Sequence, residues 1–176
     1  MNGPLALPGS ADPLHAVWQL LESVTDPEIP VVSLREIGVL RDIRGDAQAL
    51  EVVITPTYSG CPAMTQIRDD VLSTLSHAGY QATVVTQLAP AWTTDWMTPQ
   101  ALDKLKAYGI APPARSHTPS NGQVVQLAKR TPTPVVPCPQ CQSVKTTETS
   151  HFGSTACKAM YKCLDCWEPF DYFKPY

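Results

Sequence analysis

Apolar residues recur at helical spacing in three stretches of this chain. Leu14, Val17, Trp18, Leu21 and Val24 share one side of a helix opened by Asp12-Pro13 and running to about Ser23. Met64, Ile67, Val71 and Leu75 do the same over 62–77, with Pro62 suited to the first helical position and Gly79 to the position after the last turn. Leu102, Leu105 and Tyr108 mark a third helix between Thr98-Pro99 and Gly109. Between them lie β-branched, apolar runs. Gly38–Ile43 and 48–54 flank Arg44-Gly45-Asp46-Ala47, which predicts a hairpin with a turn at 44–47, and Gln81–Leu88 reads as a third strand. Thr25-Asp26-Pro27-Glu28-Ile29-Pro30 stops the first helix, because its two prolines forbid continuation, and Ser33–Ile37 fits a short helical turn. The order helix, strand, strand, helix, strand, helix predicts an α+β domain over 12–111, a small sheet covered by helices. Trp92 and Trp96 fall in a loop, where they serve either as core plugs or as a partner-facing patch.

The pattern changes after 111. Pro112, Pro113, Pro119, Pro132 and Pro134 lie among Ser, Thr, Asn and Gly, so 112–134 reads as a semi-extended linker, with one short strand at Val124–Leu127. Residues 1–11, small and proline-bearing, predict disorder. The last segment, 135–176, carries Cys138-Pro139-Gln140-Cys141 and Cys163-Leu164-Asp165-Cys166, two CxxC pairs 21 residues apart. Each pair places two thiolates on one tight knuckle, and four sulfurs close a tetrahedron around one Zn²⁺ with no position open for catalysis. A segment this short needs the metal to fold, so the expectation is a small, metal-stabilised, β-rich zinc ribbon with Cys138, Cys141, Cys163 and Cys166 as ligands. Cys157 reads as a buried thiol and His151 as a surface residue, each with a ligand role as the alternative.

Composition narrows the function. The net charge is −3 and charged residues are 16% of the chain. Residues 1–110 hold a net of −6 and the ribbon is neutral, which argues against a nucleic-acid partner. No apolar run approaches a membrane span, and Met1–Asp12 lacks a basic segment followed by an apolar core, so no membrane partner and a cytoplasmic location are expected. Six cysteines in such a chain point to metal or thiol chemistry before disulfides. No GxGxxG or Walker pattern supports a nucleotide site.

The candidate chemistry centres on Thr55-Pro56-Thr57-Tyr58-Ser59-Gly60-Cys61-Pro62. Cys61 leaves a strand and meets a helix start, where free N–H groups and the helix dipole favour an anion, and a thiolate is an anion. The competing reading is a small buried hydrophobe. Asp26 and Glu28 offer polar contacts on the earlier loop, where Asp26 also suits a turn cap.

Asp26-Pro27-Glu28-Ile29-Pro30, then Ser33-Leu34-Arg35-Glu36-Ile37-Gly38, then Thr55…Gly60-Cys61-Pro62, resembles the iron–sulfur cluster assembly factor family, which includes the bacterial SufT proteins and the eukaryotic cytosolic targeting factor for such clusters. The resemblance covers roughly 12–112. The ribbon, with Gly153–Cys163 and its aromatic tail, is similar to the PaaD family of bacterial phenylacetate degradation. That resemblance implies an accessory factor, not an enzyme in its own right, for the multicomponent oxygenase that epoxidises the ring of phenylacetyl-CoA. The oxygenase or reductase subunits would be its partners, and a metal centre there, iron–sulfur foremost, its cargo. It places the family's motif cysteine on Cys61 and its acidic motif on Asp26 and Glu28. Cys61 would then transiently ligate iron or an iron–sulfur cluster, or carry sulfur during transfer. Asp26 and Glu28 would hold its loop or receive iron, and Thr55 would hydrogen-bond within the loop. One thiolate cages a cluster poorly, so a client or a homodimer would complete the coordination. Rival expectations are a non-catalytic adaptor subunit with Cys61 buried, and a thiol pair of Cys61 with Cys157.

Overall fold

A computed structural model of the chain describes residues 14–46, 49–114 and 135–176. The expected disorder of 1–11, the Asp12-Pro13 cap, Ala47 of the predicted turn, and linker residues 115–134 with the Val124–Leu127 strand lie outside the described residues. The architecture is α+β, and the described residues form two compact units, one up to Tyr108 with Tyr176 and one from Gly109 to Pro175.

In the first unit, α1 (His15–Leu21) buries Val17, Trp18 and Leu21. It stops short of Ser23 because the chain tightens into three-residue turns, with the Ser23 and Val24 amides donating to the Leu20 and Leu21 carbonyls. The predicted turn at Ser33–Ile37 is closed reciprocally: the Ser33 N–H donates to Glu36 Oε2 at 2.8 Å, and the Glu36 N–H to Ser33 Oγ at 3.2 Å. That is a capping box on a single turn.

The sheet follows. β1 (Leu40–Asp46) and β2 (Ala49–Ile54) are antiparallel, and β3 (Ala82–Thr86) lies parallel to β2, giving the order β1-β2-β3. The predicted turn at 44–47 is corrected: Arg44, Gly45 and Asp46 stay in the ladder opposite Glu51, Leu50 and Ala49. Gly45 makes this possible, since its φ of +92° suits glycine and a Cβ there would collide with the Ala49 carbonyl. α2 (Met64–His77) connects β2 to β3 and buries Ile67, Val71 and Leu75. It ends as the sequence predicts: Gly79 has φ +83°, its N–H donates to Ser76 O, and the Tyr80 N–H reaches back to Leu75 O. α3 (Pro99–Tyr108) opens on Thr98, whose Oγ1 accepts the Ala101 N–H at 3.1 Å. Trp92 and Trp96 are core plugs, 4% and 6% exposed. The Trp92 indole donates to Ile37 O at 3.1 Å, and the Arg41 guanidinium stacks 3.5 Å over Trp96. Arg41 sits at an irregularity between Leu40 and Asp42, the one-residue slip of a bulge.

The second unit is a four-stranded sheet of β4 (Ile110–Ala111), β5 (Thr146–Ser150), β6 (Lys158–Cys163) and β7 (Pro169–Phe173), in the order β4-β7-β6-β5. Ile110–Ala111 pairs with β7 here, although the apolar pattern continues the first domain to 111. Its core is small: Val136, Ala159, Tyr161, Phe170 and Tyr172 pack around Cys138 and Cys163. Among the described residues no helix is long and apolar enough to cross a membrane.

Candidate functional site

Two places carry chemistry. The first is the knuckle pair of the second unit. Cys138, Cys141, Cys163 and Cys166 bring their sulfurs within 4.8 Å of one another. The Cys138–Cys166 separation is 3.8 Å and the Cys141–Cys163 separation 3.5 Å. Tetrahedral zinc with bonds of about 2.3 Å spaces its sulfurs about 3.8 Å apart, so this donor set fits the ion. The Cys166 N–H, 3.5 Å from Cys163 Sγ, helps pull the Cys163 thiol down to about 6, while burial and the neighbouring sulfurs push Cys166 and Cys141 up, so the four sulfurs share their protons as one group. Both knuckles turn in the same way. The residue after the second cysteine of each pair is left-handed, Gln142 at φ +63° and Trp167 at φ +67°. Neither is glycine, so no residue type in the sequence announces these turns. Gln142 compensates by donating from Nε2 to Pro139 O at 3.0 Å.

Cys157 and His151 stand outside this group. Cys157 is buried, with its sulfur 3.1 Å from Thr155 Oγ1. His151 is exposed and lies against Glu148 and Phe152.

The second place is the loop between β2 and α2. Cys61 is half-buried and not in a disulfide. It closes a tight turn: its N–H donates to Tyr58 O at 3.2 Å, and its carbonyl accepts from Met64 N at 3.4 Å, the first residue of α2. Thr55, at the strand end, is held by its N–H to Val39 O at 2.8 Å. The stretch from Thr55 to Ser59 walls a cavity of about 300 Å³, together with Leu88, Ala91 and Trp92. Thr55 is 1% exposed, and its Oγ1 faces no hydrogen-bond partner among the described residues.

Asp26 is mostly buried, and its Oδ1 accepts the Glu28 N–H at 2.8 Å and the Ile29 N–H at 3.0 Å. It braces the proline loop. Glu28 is exposed, and its N–H is the group that meets Asp26 Oδ1. Neither carboxylate lines the cavity beside Thr55.

A curated relative matches nearly the whole chain. An Escherichia coli (strain K12) protein, provisionally named as the D component of 1,2-phenylacetyl-CoA epoxidase, is 45% identical over 166 residues, covering 92% of this chain and 92% of that protein. The chain belongs to the PaaD family of phenylacetyl-CoA epoxidase components. Two family models match its two parts: a PaaD zinc beta ribbon domain over residues 122–174, and an iron–sulfur cluster assembly protein over residues 14–86. The first spans all four clustered cysteines, the second Asp26, Glu28, Thr55 and Cys61. Among solved structures, a domain of unknown function from Bacillus anthracis is 29% identical, over 51% of this chain and 88% of that one, with a TM-score of 0.48. A Mycobacterium tuberculosis protein described as associated with iron–sulfur complex assembly and repair is 25% identical, over 61% of this chain and 98% of that one, with a TM-score of 0.35.

For this PaaD family member, Asp26→Asn keeps an acceptor oxygen in place, whereas Asp26→Ala removes the acceptor of the Glu28 N–H and leaves the Ile29 N–H only the Asp26 carbonyl, 3.2 Å away. The alanine variant should lose about 1–2 kcal/mol of stability in urea titrations, and the asparagine variant well under half of that. Equal losses would show that the negative charge, not the turn, is what the loop needs. The residues that pattern reading misses are Tyr58, Leu88 and Trp92 as cavity walls. They lie on two segments, the β2–α2 loop and the connection after β3, and only the sheet brings them together.

Proposed function

We propose that this chain is a maturation factor for a metal centre of the phenylacetyl-CoA epoxidase system, with the oxygenase or reductase subunits as clients. The single observation that carries the reading is where Cys61 stands: half-exposed, on a tight turn entering α2, inside the segment matched by the iron–sulfur assembly model. Iron or an iron–sulfur cluster is the cargo. The Cys61 thiolate ligates it, and thiolates or other ligands of the client, or of a second copy, complete the coordination. Release is ligand exchange, in which client ligands replace the Cys61 sulfur without change in the protein's oxidation state. Asp26 holds the neighbouring loop in shape, and Glu28, exposed beside it, is available as a hard oxygen ligand for iron. The ribbon is a docking module held by zinc on Cys138, Cys141, Cys163 and Cys166.

A second reading has its own support: the Escherichia coli relative is named as a part of the epoxidase, which suits a non-catalytic adaptor. Metal and acid-labile sulfide per chain after anaerobic purification separate the two, measured for wild type and Cys61→Ser side by side. The maturation factor predicts zinc near one per chain in both, with iron and sulfide in wild type alone. Zinc alone in wild type, even after cluster reconstitution, favours the adaptor. Iron and sulfide retained in the variant would move the cluster to the ribbon.

A further inference from the structure

In the parallel ladder between β2 and β3, Gln81 O accepts from Leu50 N and Gln87 N donates to Ile54 O. Backbone groups alternate sides along a strand, so those of Ala82, Val84 and Thr86 point away from β2. β3 is the last strand of its sheet, and among the described residues nothing pairs with that row. Natural sheets guard such edges with charge. The opposite edge, β1, does so with Arg41, Asp42, Arg44 and Asp46. From Gln81 to Leu88 there is no charged residue, and Val85 and Leu88 are 41% and 59% exposed. One edge is guarded and the other is left open.

The open edge leads to the candidate site. Leu88, just beyond β3, is a wall of the cavity that Thr55 to Ser59 also line, and the loop of Thr55 runs on to Cys61. We propose that β3 is the client-docking edge: an extended, uncharged segment of the client adds beside β3 as a fourth strand and places one side chain in the cavity at Thr55. Main-chain bonds from Ala82, Val84 and Thr86 supply attachment. The cavity supplies selection, through apolar contact with Leu88 and Trp92. The client is then held against the loop that carries Cys61. This rests on the reading of the chain as a maturation factor.

Hydrogen exchange of the full-length chain, resolved by amide, tests it with and without the purified epoxidase and reductase subunits. Strand addition should slow the Ala82, Val84 and Thr86 amides by about tenfold or more on binding, and leave Thr83 and Val85, already bonded to β2, little changed. Val84→Pro should abolish binding while zinc content stays at the wild-type value, since proline is tolerated on an edge but blocks a new neighbour. A complex that forms with those three amides unchanged overturns the docking edge and leaves the maturation reading standing. Slowing in the chain alone that grows with its concentration gives the edge to a second copy and overturns the client. Failure of every subunit to bind overturns both.

Discussion

Cys163→Ser will unfold the second unit while the first stays folded. A zinc site in a small module contributes apparent folding free energy of about 10–16 kcal/mol, far more than the few buried residues around Cys138 and Cys163 supply. Serine leaves three thiolates and a weak hydroxyl, and removes the sulfur that the Cys166 N–H approaches. Zinc should fall from about one per chain towards none. The edge-on packing of Tyr161 on Tyr172, 5.4 Å between ring centroids, should disappear from aromatic proton spectra, while the indole signals of Trp92 and Trp96 persist. Acid should act in the same direction, because protons compete with the metal for thiolates. Retained Tyr161 and Tyr172 dispersion in a zinc-free variant would show that the aromatic core, not the metal, holds the sheet.

The first unit has its own sensitive point at Gly38. Its φ is +79°, and a Cβ there would stand 2.7 Å from Trp96 Cβ and 3.0 Å from the Trp96 carbonyl oxygen. A left-handed non-glycine residue costs about 1–2 kcal/mol, and overpacking a tight contact about 1–3 more. Gly38→Ala should therefore lose about 2–5 kcal/mol in urea unfolding followed by tryptophan fluorescence. Gly79→Ala is the matched control, since φ is +83° but nothing lies within 4 Å of the added carbon. It should show the backbone cost alone, about 1–2 kcal/mol. Equal losses at the two positions would mean that the Trp96 loop yields, and that the tryptophan is less tightly seated than its 6% exposure implies.

The Gly38 prediction bears on the Cys61 loop. Trp92, which walls the cavity beside Thr55, donates to the carbonyl of Ile37, the residue before Gly38. A shift of that loop would alter the cavity without touching the cysteine. The zinc unit is a separate structural matter, which is why metal analysis of Cys61→Ser and of Cys163→Ser should give different signatures.

The amino-acid sequence by itself determined the elements whose causes are local. Apolar spacing placed α2 and α3, Gly79 and Gly109 ended them, and Thr98-Pro99 opened the third helix, because caps and helical faces depend on residues a few positions apart. The two CxxC pairs named the metal-binding group for the same reason: the donors and their spacing are written in the chain. Tertiary structure decided what depends on distant neighbours. It kept Arg44, Gly45 and Asp46 in the ladder, because the partner strand was there to pair with them. It drew Ile110–Ala111 into the sheet of the second unit, alongside β7, and buried Trp92 and Trp96 as core. It turned Gln142 and Trp167 into left-handed knuckle residues, a conformation set by closing four sulfurs together and not by residue preference. It also gathered Thr55, Tyr58, Leu88 and Trp92 around one cavity and, among the described residues, left the outer edge of β3 unpaired. Burial and strand order belong to the packed chain, so no local pattern could have announced them.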